Sequence, residues 1–230
     1  MDQLSPARYR PALSAPVTSS TADWTRRVVG VGLLLTIALV ALQAEAQAID
    51  FSVFNLRIWA LNSDKHYSVF GVASLLAQLA VAAACVWRGY NVERHRRAWF
   101  GLGALVGGLI LIRGLTTFNA AVLAVPLAGV FLLLFWLTWR DPGSARAVVW
   151  SGLILLAASL LLHKVGLAAD SSVANDYTWA YQITGMIKHG AELAGWMLLA
   201  TGIIAGWGDL RLPHPSTQGR LLAEMESVAR

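Results

Sequence analysis

The sequence predicts an all-α polytopic membrane helix bundle of about six transmembrane helices with both termini cytoplasmic. Three observations predict it. The 230 residues are 57% hydrophobic and only 13% charged, with a mean hydropathy of +0.57, too apolar for a soluble domain of this size. The apolar residues fall into runs long enough to cross ~30 Å of hydrocarbon. The basic residues lie between those runs and not in a patch with interleaved aromatics, so a pI near 9.8 reads as membrane topology and nucleic acid is not an expected partner.

Residues 1–26 have no apolar period and read as a disordered cytoplasmic tail. Residues 27–208 form the membrane domain and 209–230 a cytoplasmic amphipathic tail. The first apolar run, Arg27 to about Ala48, ends in Ala44-Glu45-Ala46-Gln47-Ala48. That ending resembles a signal-peptidase site, so a cleaved signal stands beside the preferred reading of an uncleaved first helix. Residues 49–66 are mixed, a texture suited to the membrane interface. The second run spans Tyr67 to about Trp87. The third and fourth, Ala98 to Phe118 and Ala120 to Trp139, are nearly continuous, and Thr116-Thr117-Phe118-Asn119 divides them into a tight hairpin. Pro126 falls inside the fourth, where a kink is expected. After the breakers Asp141-Pro142-Gly143 the fifth run covers Ala147 to Ala168, and the sixth covers Ile183 to Trp207. Past it, Leu221, Leu222, Met225 and Val228 recur at helical spacing.

With the N-terminus inside, 13 of the 18 Lys and Arg residues fall in inner segments and only Arg57 and Lys65 in outer loops. Trp24, Trp87, Trp99, Trp136, Trp139, Trp150 and Trp207 then mark inner helix ends, as interfacial anchors. The single Cys85 excludes an internal disulfide and a cysteine metal cage, and packing is its expected role. Gly103 with Gly107, and Gly202 with Gly206, are small-xxx-small ridges for close helix contact or oligomerisation. Gly101 to Gly107 lacks the spacing, strand and lysine of a nucleotide loop.

The membrane-embedded ionisable groups carry the functional reading. Glu45 on the first helix, Arg113 on the third, His163 and Lys164 on the fifth, and Lys188, His189 and Glu192 on the sixth all fall in the outer half, while the inner half carries no comparable residue. Such groups face protein or a wet cavity and mark functional sites. Glu192 is three residues from His189 and four from Lys188, so it can pair with either. It also lacks the reach to snorkel, as Lys164 and Arg113 could. Glu45, Arg113, Lys164, Lys188, His189 and Glu192 are therefore the expected ligand-binding residues, in an outward-facing cationic site that binds or moves a small anion or an anionic lipid headgroup. Two alternatives stand beside it. One is a structural membrane subunit with internally paired charges. The other is a membrane-embedded metal-dependent hydrolase with His163, His189 and Glu192 as metal ligands; haem held by His163 and His189 is a variant of it. No catalytic residue and no cofactor is predicted, and an enzyme is the less favoured class.

Phe54-Asn55-Leu56 after the first helix and Lys188-His189-Gly190-Ala191-Glu192 on the last resemble a broad group of uncharacterised bacterial six-helix integral membrane proteins, over roughly residues 28–207. The resemblance implies a multi-pass protein of the bacterial inner membrane. That group looks to carry acidic and histidine residues at the outer end of its third helix, where this chain has Arg113, Thr116, Thr117 and Asn119. It also carries two further acids where Lys188 and His189 stand, so any metal bound by those acids would be lost or differently held here.

Overall fold

The computed structural model describes residues 18–55, 58, 60, 61, 68–92, 95–115, 120–141, 143–170 and 178–207, with the side chains at 18–22, 113–115, 120–124, 163–170 and 207 left out of the description. These residues form six α-helices and no strand: α1 (Thr18–Phe54), α2 (Val69–Asn91), α3 (Arg96–Leu115), α4 (Ala120–Thr138), α5 (Gly143–Asp170) and α6 (Trp179–Trp207). Among the described residues three stretches, Asp23–Phe54, Val69–Asn91 and Gly143–Leu162, are long and apolar enough to cross a membrane. The apolar runs thus set the helices and their order; α3 ends at Leu115 and α4 begins at Ala120, and the expected hairpin residues Thr116 to Asn119 lie outside the described residues. Their lengths differ from the runs. α1 has 37 residues, about 55 Å at ~1.5 Å per residue. It begins within the stretch read as a disordered tail and continues to Phe54 through the segment read as interfacial. The alanine-rich Ala44–Ala48 stretch lies inside it, because alanine is the best helix former and sustains the helix where apolarity fades.

α6 is the central helix, packed against α1, α2 and α5; α3 lies on α2, and α4 touches α3 and α5. The apolar core follows this arrangement, with Val81 and Cys85 of α2, Trp99, Leu102 and Val106 of α3, Leu134 of α4, Val149 of α5 and Leu193, Leu199 and Ile203 of α6 among its buried members. Large apolar side chains cover the outside, including Leu34 and Ile37 of α1, Leu76 of α2 and Ile154 and Leu161 of α5. An apolar exterior of this kind suits lipid and not water. At the start of α2, Ser68 is a helix cap: its hydroxyl accepts from the Gly71 amide at 3.1 Å and satisfies one of the first-turn donors.

Close packing is concentrated between α5 and α6, which run antiparallel. A Cβ on Gly195 would lie 2.6 Å from Leu156 and 3.0 Å from the Gly152 carbonyl oxygen, and one on Gly202 would lie 2.5 Å from Val149. Glycine is what lets these two backbones approach. Of the two ridges expected from sequence, Gly103 does pack tightly, on Val86 and the Ala82 carbonyl, but nothing lies near Gly107. Gly202 packs on α5 as a ridge residue should. Gly206 meets an ion pair and not a helix, and the Gly152–Gly195 crossing is a further close contact.

Candidate functional site

Antiparallel register along α1 and α6 is set by four contacts. The Thr25 hydroxyl donates to the Ala205 carbonyl, Gly32 abuts Thr201, Gln43 lies against Gly190, and the Gln47 amide donates to Gln182 Oε1 at 2.5 Å. Phe51 then meets Trp179 edge-on at 4.7 Å. The buried positions of α1 are Thr25, Gly32, Thr36, Gln43, Ala46, Gln47 and Asp50. None is a large apolar residue. α1 is therefore polar toward its neighbours and apolar outside, the reverse of a water-exposed helix and the pattern of a lipid-facing one.

Two polar side chains on this stripe are buried without complete partners. Gln43 is 1% exposed and neither its Oε1 nor its Nε2 has a hydrogen-bond partner. Asp50 accepts from the Ile58 amide through Oδ1 at 2.9 Å, while its Oδ2 is buried and unpartnered. Glu45, expected in the site, is exposed; it lies between Gln43 and Gln47 in sequence but on the other side of the helix. The inward polar groups of α1 are thus its glutamines and Asp50.

On α6 burial changes abruptly along the helix. From Leu193 to Gly206 every residue except Met197 and Ile204 is buried, whereas from Trp179 to Glu192 only Gln182 and Gly190 are. Lys188, His189 and Glu192 occupy the end of that less covered stretch, and His189 Nδ1 approaches Glu192 Oε2 at 3.9 Å. Because α6 begins at Trp179, Glu192 sits near its middle, about 20 Å from its start. Lys188 and Glu192 continue, at spacings of four and three, the stripe formed by Gly195, Leu199 and Gly202 that faces α5. On α5 the matching stripe is Ala145, Val149, Gly152 and Leu156, and its next member, Ser159, is buried. The antiparallel register carries Ser159 to the level of Glu192 and position 163 to the level of Lys188. The side chains of Arg113, His163 and Lys164 themselves lie outside the described residues. Among the described residues no group of three His, Cys, Asp or Glu side chains is placed to hold a metal ion.

The arginine-rich end, where the sequence gives no reason to expect a membrane-embedded ionisable site, carries a buried charge. Arg88, 3% exposed, forms a two-pronged ion pair with Asp141, its Nη1 donating to Oδ2 at 2.8 Å and its Nη2 to Oδ1 at 2.5 Å. The guanidinium also lies 4.4 Å from the centre of the Trp99 ring and reaches the Ile203 carbonyl at 3.5 Å. Trp99 is accordingly buried under Arg88 and is not an interfacial anchor. Trp24, Trp87, Trp136 and Trp139 are exposed, as anchors should be. Asp141 was hidden in sequence as a turn residue before proline; the signal available was that it is the acid of an otherwise basic turn between Arg140 and Arg146.

Comparison with protein-family models, curated proteins and solved structures finds no match.

Proposed function

We propose that this chain is a multi-pass membrane protein with its arginine-rich end in the cytoplasm and a polar site, open toward the opposite side, that binds or moves a small anion or an anionic lipid headgroup. The observation that carries the proposal is the change along α6. Tight glycine-mediated packing against α5 runs as far as Gly195 and Leu156, and the next turns carry the half-buried Glu192, His189 and Lys188, with Glu192 at the level of buried Ser159. Ionisable residues set into a membrane helix and only partly covered suit a site reached from one end. Continued register brings position 163 to this level, and Lys164 beside it in sequence, taken together with Arg113 of α3, gives the cationic excess an anion requires. Glu45, on the exposed side of α1, is not part of this reading.

A thermal-shift measurement on protein in zwitterionic nanodiscs tests the proposal, with phosphatidylglycerol or inorganic phosphate as the added ligand. A bound ligand at a hundredfold its Kd adds about 2.7 kcal/mol. Lys188→Glu and Arg113→Glu should remove that gain. Equal stabilisation of wild type and both variants sinks the idea. The approach of His189 to Glu192 favours a second reading, a structural subunit whose charges only pair with one another. In that case Glu192→Leu alone destabilises the bundle, and replacing Lys188, His189 and Glu192 together by leucine restores it.

A further inference from the structure

We propose that the Arg88–Asp141 pair is a releasable clamp that shuts the arginine-rich end of the bundle, the closed gate opposite the polar site. The meaning of "opposite" rests on the reading of that site given above; the clamp itself rests on its own geometry.

Four elements meet at the pair. Arg88 comes from the last turns of α2, Trp99 from α3, Asp141 from the turn between α4 and α5, and the Ile203 carbonyl and Gly206 from α6. A permanent staple would join two packed helices, but here the carboxylate is on a turn. The helix leading into that turn meets its neighbours α3 and α5 far more sparsely than α6 meets α5, and its buried stripe is Val130, Leu134, Leu137 and Thr138. A modest shift of α4 would withdraw Asp141.

The other partners are built for release. α6 meets the pair through Gly206, whose missing side chain leaves a smooth contact; a Cβ there would lie 2.8 Å from Asp141 Oδ2 and 2.9 Å from Arg88 Nη1. α6 holds Arg88 through the Ile203 carbonyl and sets no side chain against Asp141, so the carboxylate can withdraw while α6 stays in place. Arg88 keeps the Trp99 face and the Ile203 carbonyl when Asp141 leaves, so the guanidinium is not stranded. Its Nε is buried and unpartnered even in the closed arrangement. A buried ion pair adds little net stability over apolar packing, so its retention at a junction of four elements suits a switch better than a brace.

Cys85 reports the state of this end. It is the only cysteine, fully buried, and one turn before Arg88 on α2. The test is labelling of Cys85 by a membrane-impermeant maleimide in proteoliposomes of the full-length chain, alongside the unfolding temperature of each sample. Asp141→Asn should raise the labelling rate by about tenfold or more, from the arginine-rich side only, with the unfolding temperature little changed. Gly206→Ala, which intrudes on the closed pair without removing a charge, should do the same. Unchanged labelling in folded Asp141→Asn and Gly206→Ala overturns the clamp. So does labelling that rises only in step with loss of thermal stability, which is the behaviour of a static brace. Anion binding is absent from the readout, so a failed ligand test and a failed clamp are separate outcomes.

Discussion

Replacing Gly195 by alanine tests the α5–α6 crossing most sharply, because two opposing effects have known sizes. Alanine is favoured over glycine inside a helix by about 1 kcal/mol. Against this, the new Cβ would stand 2.6 Å and 2.9 Å from two Leu156 atoms and 3.0 Å from the Gly152 carbonyl oxygen. The leucine can turn aside, but the backbone oxygen cannot, so the helices must separate. Overpacking of this kind typically costs about 1–3 kcal/mol. The net expectation is a destabilisation of up to about 2 kcal/mol, since the helix gain offsets part of the clash. Gly107→Ala is the matched control: nothing lies within 4 Å of its Cβ position, so only the helix gain remains. Equilibrium unfolding in mixed micelles should therefore rank Gly107→Ala above wild type and Gly195→Ala below it. If Gly195→Ala equals or exceeds the control, the close crossing is wrong. Gly152→Ala, whose Cβ would lie 2.8 Å from the Gly195 carbonyl, should combine non-additively with Gly195→Ala, because one separation of the helices relieves both clashes.

Three further substitutions probe the rest of the bundle by the same unfolding measurement. Gln43→Leu removes two buried polar atoms without partners and should stabilise by about 1–2 kcal/mol; a loss of stability would mean that the carboxamide is satisfied by a bound molecule. Arg88→Ala should destabilise by about 1–3 kcal/mol, because the Trp99 and Ile203 contacts go with the guanidinium while the Asp141 carboxylate, on its turn, can reach water, and Arg88→Met with Asp141→Leu should recover much of it. Ser68→Ala should lower stability by about 1 kcal/mol through loss of the α2 cap, and an unchanged midpoint would count against the Ser68–Gly71 contact.

Helix number and order were legible because hydropathy alone sets them: each apolar run is one helix, and the polar interruption at 116–119 falls between α3 and α4. Helix ends were not, since a helix persists wherever its residues tolerate it, as α1 does through Ala44–Ala48. The Arg88–Asp141 pair was not legible either. An arginine at the end of an apolar run reads as a loop residue, and only the fold brings a turn carboxylate onto it. The Gly152–Gly195 crossing escaped for a similar reason: each glycine is isolated in its own helix and acquires meaning only from the partner. The polar stripe of α1 was different. Thr36, Gln43, Gln47 and Asp50 recur at spacings of seven, four and three, one face of a helix, and that signal was in the sequence. Attention to ionisable residues selected Glu45 instead, which the helical period places on the other side.

The faces of α6 differ in what holds them, and the difference organises the molecule. Toward α5 the contact is glycine on glycine as far as Leu156, which fixes those two helices as a unit. Toward α1 it is amide on amide, with Gln47 on Gln182 and Gln43 left without a partner, and that seam has little apolar surface to hold it. Toward α2 it ends in the Arg88 guanidinium at the Ile203 carbonyl. Van der Waals packing survives any change of hydration, whereas polar contacts weaken when water enters. If the bundle moves, α5 and α6 should therefore move together, with α1 and the end of α2 as the surfaces that yield. Lys188, His189 and Glu192 ride on that rigid pair, and the Arg88–Asp141 contact lies where the yielding surfaces meet it.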